Sequence, residues 1–178
     1  MDDADARVTL GLLGAWALHD AEEVVMVPRW LRAHVPKLRE RFPGVPDRVW
    51  RRLESIDEHE FRVAVTGMGV LIAASAAHGH RTGGRSAAYQ TALLAFGLHG
   101  AGHLALSGAV RGYTPGAATS AMVVVPFTLW ARNELRRAGV LRSTRTRDIV
   151  WGVALTAAAL TATHTLAQRL THGRQRNR

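Results

Sequence analysis

No cysteine occurs among the 178 residues. Disulfides, iron–sulfur clusters, thiolate zinc sites and cysteine nucleophiles are therefore excluded. Lysine occurs once, at Lys37, so nearly all the positive charge is arginine. The HExxH pattern of zinc proteases is absent, and so is the HxxHH box of membrane di-iron enzymes; a single HxxxH remains, at His99 and His103. Charge itself is scarce in five long stretches, about Val8–Val27, Phe61–Gly79, Ala87–Val110, Tyr113–Ala131 and Ile149–Ala167. Each is long enough, at 1.5 Å per residue, for a helix to cross a hydrocarbon core of about 30 Å. The charges crowd into the connections instead, so a whole-chain mean hydropathy of −0.02 conceals a membrane pattern.

These features predict an all-α fold: one integral membrane domain over residues 1–178, a helical bundle of about five spans. Small residues, as in LIAASAA and ALTAAALTAT, permit close helix approach in lipid. The acidic start MDDADAR and the acids inside the first stretch argue for a retained helix rather than a signal peptide. Residues 29–60 form the one long connection. It is divided by Pro into WLRAHVPKLRERF and VPDRVWRRLESIDEHEF, and the second piece has the amphipathic spacing of a segment lying on the membrane surface with Trp50 at headgroup depth. The net charge of +9 is explained by arginines flanking spans, not by nucleic-acid binding. Fourteen Lys and Arg fall on the long-loop face against nine on the other, which places the C-terminus in the cytoplasm of a multi-pass inner-membrane protein; six arginines from Arg132 to Arg147 pull the other way.

The most informative string is HDAEE, His19 to Glu23, inside the first apolar stretch. An ionisable group near the bilayer centre costs about 2.5 kcal/mol or more, so three carboxyl groups in four residues need partners, protons or a metal. His19, Glu22 and Glu23 stand at i, i+3 and i+4 and share a helix face, whereas Asp20 points about 100° away, toward the long connection. His99 and His103 share a face in the third stretch. If alternate spans run alike, His19, Glu22, Glu23, His99, His103 and His164 lie in one leaflet with Glu60, Tyr113, Thr114 and Thr119, which predicts one polar pocket. His19, Glu22, Glu23, His103 and His99 supply ligands for zinc, or a mixed nitrogen and oxygen set for iron or manganese. The same His19, Glu22 and Glu23 equally suit metal-free acid/base catalysis. Simpler roles stand beside these: interhelical hydrogen bonding for His99, His78 and His164, a helix start for Tyr113–Gly116, and a bond to the preceding turn for Thr119.

In its order of motifs the chain resembles the HXXEE family of bacterial integral membrane proteins. HDAEE carries the family signature, followed by EFRVAV from Glu60, HL at His103 and Leu104, YTPG from Tyr113, Thr119 and Pro126. His99 and Val124 stand where the family tends to have Asn, so no role of those amides transfers here. The resemblance implies a small multi-span helical protein and supplies no substrate.

Three functions remain open from the residues. One is a membrane enzyme, metal-dependent or acid/base, acting on a lipid-soluble small molecule by isomerisation, cyclisation, hydrolysis or oxidation. Another is proton or small-ion transport, for which buried Glu and His suit a relay, although the lack of repeats disfavours an alternating-access carrier. The third is a sensor or scaffold whose basic connection holds anionic lipid or a partner.

Overall fold

Helix caps and glycine turns set the element boundaries. In the computed structural model, which describes residues 4–143, 145, 149–150, 153–154, 157–159, 161–163, 165–166 and 169, those residues form helices and connecting turns and no strand. A short α1 (Ala6–Thr9), capped by Asp5, leads into the 31-residue α2 (Gly11–Arg41). After α3 (Asp47–Glu54), α4 (Glu58–Arg81) starts where Asp57 accepts the Glu60 N–H at 2.7 Å. Acids in the first turn of α4 and His78, His80 and Arg81 in its last match the helix dipole. Gly83 and Gly84, both at positive φ, turn the chain into α5 (Ala87–Val110), which Ser86 caps. Next come α6 (Ala117–Thr119), a π-helical turn (Ser120–Val124) and α7 (Val125–Arg137). Pro126 has no N–H to offer Met122, and the turn before it is widened so that the Val125 N–H reaches Ser120.

α2 packs on α4, α4 on α5, and α5 on the π-turn and α7. Val8, Leu12, Tyr89, Leu93, Phe96 and Leu135 form the principal core. Burying such side chains contributes about 1.5–3 kcal/mol each. Tyr89 is fully buried without an unpaired hydroxyl, because it donates to the Val8 carbonyl at 2.6 Å. Close helix approach depends on missing side chains: a Cβ on Gly97 would stand 2.6 Å from Thr128 Cγ2, and one on Gly100 2.7 Å from Val124 Cγ1.

α4 and α5 are the two helices, among the described residues, that are long and apolar enough to cross a membrane, each with a mean hydropathy of 1.4. Only 17% of each apolar window is buried within the protein, unlike the core helix of a soluble domain. Leu18, Val25, Val70, Met122 and Leu129 also face outward, each more than half exposed.

Three sequence expectations are corrected. The first apolar stretch does not stop before a loop at residue 29, because α2 continues through Pro28 and Pro36 to Arg41. Each proline removes one hydrogen bond, while packing of Leu31 and Val35 on α3 supports the extension. Trp50 of α3 lies in that contact, 5% exposed, instead of at a membrane surface. The helix expected from Tyr113 begins at Ala117, after a turn, and runs on to Arg137. α5 coincides with the stretch Ala87–Val110, and the described residues between 149 and 169 are helical. His164, His172 and the basic tail from Thr171 lie outside the described residues.

Candidate functional site: a histidine and glutamate centre

The i, i+4 spacing brings His99 and His103 to one side of α5, and the same spacing puts His19 and Glu23 on one side of α2. The two faces meet. His99 Nε2 lies 3.0 Å from His19 Nε2 and 2.9 Å from His103 Nε2. Glu23 Oε1 is 3.2 Å from His103 Nε2, and its Oε2 is 3.9 Å from the Nε2 atoms of both His19 and His99. One ligand atom from each of His19, Glu23, His99 and His103 falls within a group whose members all lie within 4.8 Å of one another. His19 has no exposed surface and Glu23 is 9% exposed.

The outer nitrogens determine what the inner ones offer. His103 Nδ1 lies 2.9 Å from the Pro115 carbonyl, which can only accept, so Nδ1 carries the hydrogen. His19 Nδ1 lies 2.8 Å from Thr119 Oγ1, while the Thr119 hydroxyl donates to Glu22 Oε2 at 2.5 Å. Its single hydrogen is thus committed to Glu22, and Oγ1 accepts from His19 Nδ1–H. In their neutral forms, His19 and His103 therefore both turn an Nε2 lone pair toward His99. One hydrogen on His99 Nε2 serves one of those lone pairs well, not both. A cation at the focus would serve all three rings and Glu23. Ligands at about 2.0–2.1 Å in tetrahedral array stand roughly 3.3–3.4 Å apart, within the range of separations present here. Metal-bound histidines commonly have the opposite ring N–H held by a carbonyl or polar group, as His103 and His19 do.

Glu22 belongs to a different arrangement. Its carboxylate accepts from the Gly116 N–H at 3.0 Å, from the Thr119 N–H at 3.0 Å and hydroxyl at 2.5 Å, and from the Tyr113 hydroxyl. These four donors leave it outside the ligand group, contrary to the expectation that it ligates beside Glu23. The start of α6 does face an anion, and that anion is Glu22 of the same chain. Gly116 permits this in two ways: its φ is +83°, and a Cβ there would meet His103 Nδ1 at 2.7 Å and His19 Cε1 at 3.0 Å. Thr114 does not cap a helix; its N–H and hydroxyl pair with Ser107 of α5. Thr119 also contacts the Gly116 carbonyl, at 3.4 Å, but its principal partners are Glu22 and His19. Glu60 is buried in an ion pair with Arg52, and Asp57 caps its N–H, so it joins neither the centre nor the cavity beside it.

That cavity, of about 420 Å³, lies between α2, α4 and α5, is also lined by Ala159 and Thr163, and touches the centre through Glu23 and His99. Asp20 also lines it and is only 8% exposed, a correction to its expected orientation toward the long connection. The 100° step from His19 turns Asp20 to α4, because α4 occupies that side of α2. The Pro115 carbonyl and the Gly116 N–H were also not legible as site groups, although the Pro-Gly pair did mark a turn.

Residues 10–131 match the model of a family described as protein of unknown function with HXXEE motif. The chain belongs to the HXXEE family. In this member the defining motif divides its work: His19 and the second glutamate, Glu23, join the centre, while the first, Glu22, binds the turn behind it. No curated protein and no solved structure matches the chain.

Proposed function

We propose that this is a five-span inner-membrane enzyme in which His19, Glu23, His99 and His103 hold one divalent metal, zinc, iron or manganese, and act on a lipid-soluble small molecule. The observation that carries the reading is the convergence of the His19, His99 and His103 Nε2 atoms and Glu23 at the wall of an apolar cavity. The apolar α4 and α5 and the outward-facing apolar residues support the bilayer setting. Positive charge on the long-loop side supports a cytoplasmic C-terminus. In such a site the cation would polarise a substrate oxygen or a bound water. Glu23 and His99 face the cavity, so in a metal-free site exchange of a proton with substrate would fall to them, while Glu22 is a positioning residue.

Elemental analysis of the detergent-purified chain, grown with zinc, iron and manganese supplied, tests the proposal. About one metal ion per chain is expected, lost in Glu23→Gln and His99→Ala while helical circular dichroism is preserved. A metal-free wild-type protein would overturn the metal site, and metal retained at full stoichiometry in both variants would overturn the ligand assignment.

A further inference from the structure

The cavity is elongated. Its lining on α5 extends from Ala87 to His99, about 18 Å at 1.5 Å per residue. At about 420 Å³ it has room for one hydrocarbon chain and falls short of a two-chain lipid. The walls are apolar, from Ala88 and Leu71 to Phe61 and Phe96, and polarity gathers at one end, where Asp20, Glu23 and His99 stand together.

Asp20 points to the ligand's head group. It is more than nine-tenths buried, lines the cavity and has no hydrogen-bonding or ionic partner among the described residues. A buried polar group without a partner is costly, and a donor carried on a ligand would relieve that cost. A carboxylate or an ammonium would lose its hydration on entering a cavity with apolar walls, a cost that a neutral hydroxyl escapes. A hydroxyl suits both neighbours, since its hydrogen can go to Asp20 while its oxygen lone pairs face the centre. We propose that the cavity between α2, α4 and α5 binds a single-chain lipid alcohol with its hydroxyl between Asp20 and the His/Glu centre. The site is that of the proposed function, but the preference for a neutral head group rests on the apolar walls and on Asp20, not on the metal.

Binding of radiolabelled tetradecanol to the full chain in phosphatidylcholine nanodiscs tests this, with tetradecanoic acid and tetradecylamine as competitors and metal content read on the same samples. Saturable binding near one per chain is expected, displaced by unlabelled tetradecanol at least tenfold more effectively than by the acid. Asp20→Leu is expected to weaken binding about tenfold, and Ala95→Phe, which fills the channel one turn from His99, to abolish it. Equal or better displacement by the acid, or affinity unchanged in Asp20→Leu together with Ala95→Phe, would overturn the proposal. Because the competition on wild-type protein needs no variant, a variant that fails to fold leaves the test intact. Metal-free protein that still selects the alcohol through Asp20 would retire the metal reading alone, whereas metal-loaded protein without that selection would retire this proposal alone.

Discussion

Two glutamates adjacent in sequence sit in opposite kinds of surroundings. Around Glu22, four donors meet two carboxylate oxygens and the hydrogen-bonding capacity is filled from within the chain. Around Glu23, three imidazole nitrogens converge with more lone pairs than hydrogens, and the neighbouring Asp20 has no described partner. A saturated region holds its geometry. An unsaturated buried region stores an unmet demand for a cation or a ligand. The first therefore reads as support, and the second is the proposed site.

The largest effect on this contrast is expected from Gly116→Ala. A side chain at φ +83° costs about 1–3 kcal/mol, and here the added methyl also enters the space of His19 and His103. Thermal unfolding should move down and stoichiometric metal should be lost together; an unchanged midpoint with full metal content would show that the turn does not hold the two rings.

Removing charge or hydroxyl from the saturated region should have an intermediate effect. Glu22→Gln and Thr119→Val each disturb the path that orients His19 Nδ1–H, and changes of this kind cost 10–100-fold in metal affinity. Titration against a competing chelator would give both numbers. The double variant should lose little more than either single one, since both act through one hydrogen-bonded chain, and Thr119→Ser should restore affinity. Full additivity would mean that Glu22 and Thr119 support the site separately.

Tyr113→Phe should have the smallest effect. The hydroxyl is one of four donors to Glu22 and its side chain is about half exposed, so a loss of roughly 0.5–1.5 kcal/mol, at most about tenfold in metal affinity, is expected. A loss larger than that of Glu22→Gln would place Tyr113 in the centre itself.

Much of this arrangement was legible before any coordinates. The charge-poor apolar stretches announced the helices, with α5 covering Ala87–Val110 as its stretch implied. The i, i+4 pairs predicted which side chains share a face, and the depth of His19, His99 and His103 predicted that they meet. Other residues were misread because sequence spacing says nothing of the neighbour a face encounters. Trp50 has the spacing of an interfacial anchor and is buried on α2, and Asp20 has the angle of a loop-facing acid and lines a cavity beneath α4. His99, ambiguous as a lone polar residue, became the hub once His19 and His103 flanked it.

By itself, then, the sequence determined the helical class, the family, the absence of thiol chemistry and the two polar faces, because these depend on composition and on the 3.6-residue repeat. Only the tertiary structure decided that Glu23 enters the centre while Glu22 binds the Tyr113–Thr119 turn. Adjacent positions differ by 100° around α2, and the partner each side chain finds depends on which neighbouring helix or turn the packing brings to that angle.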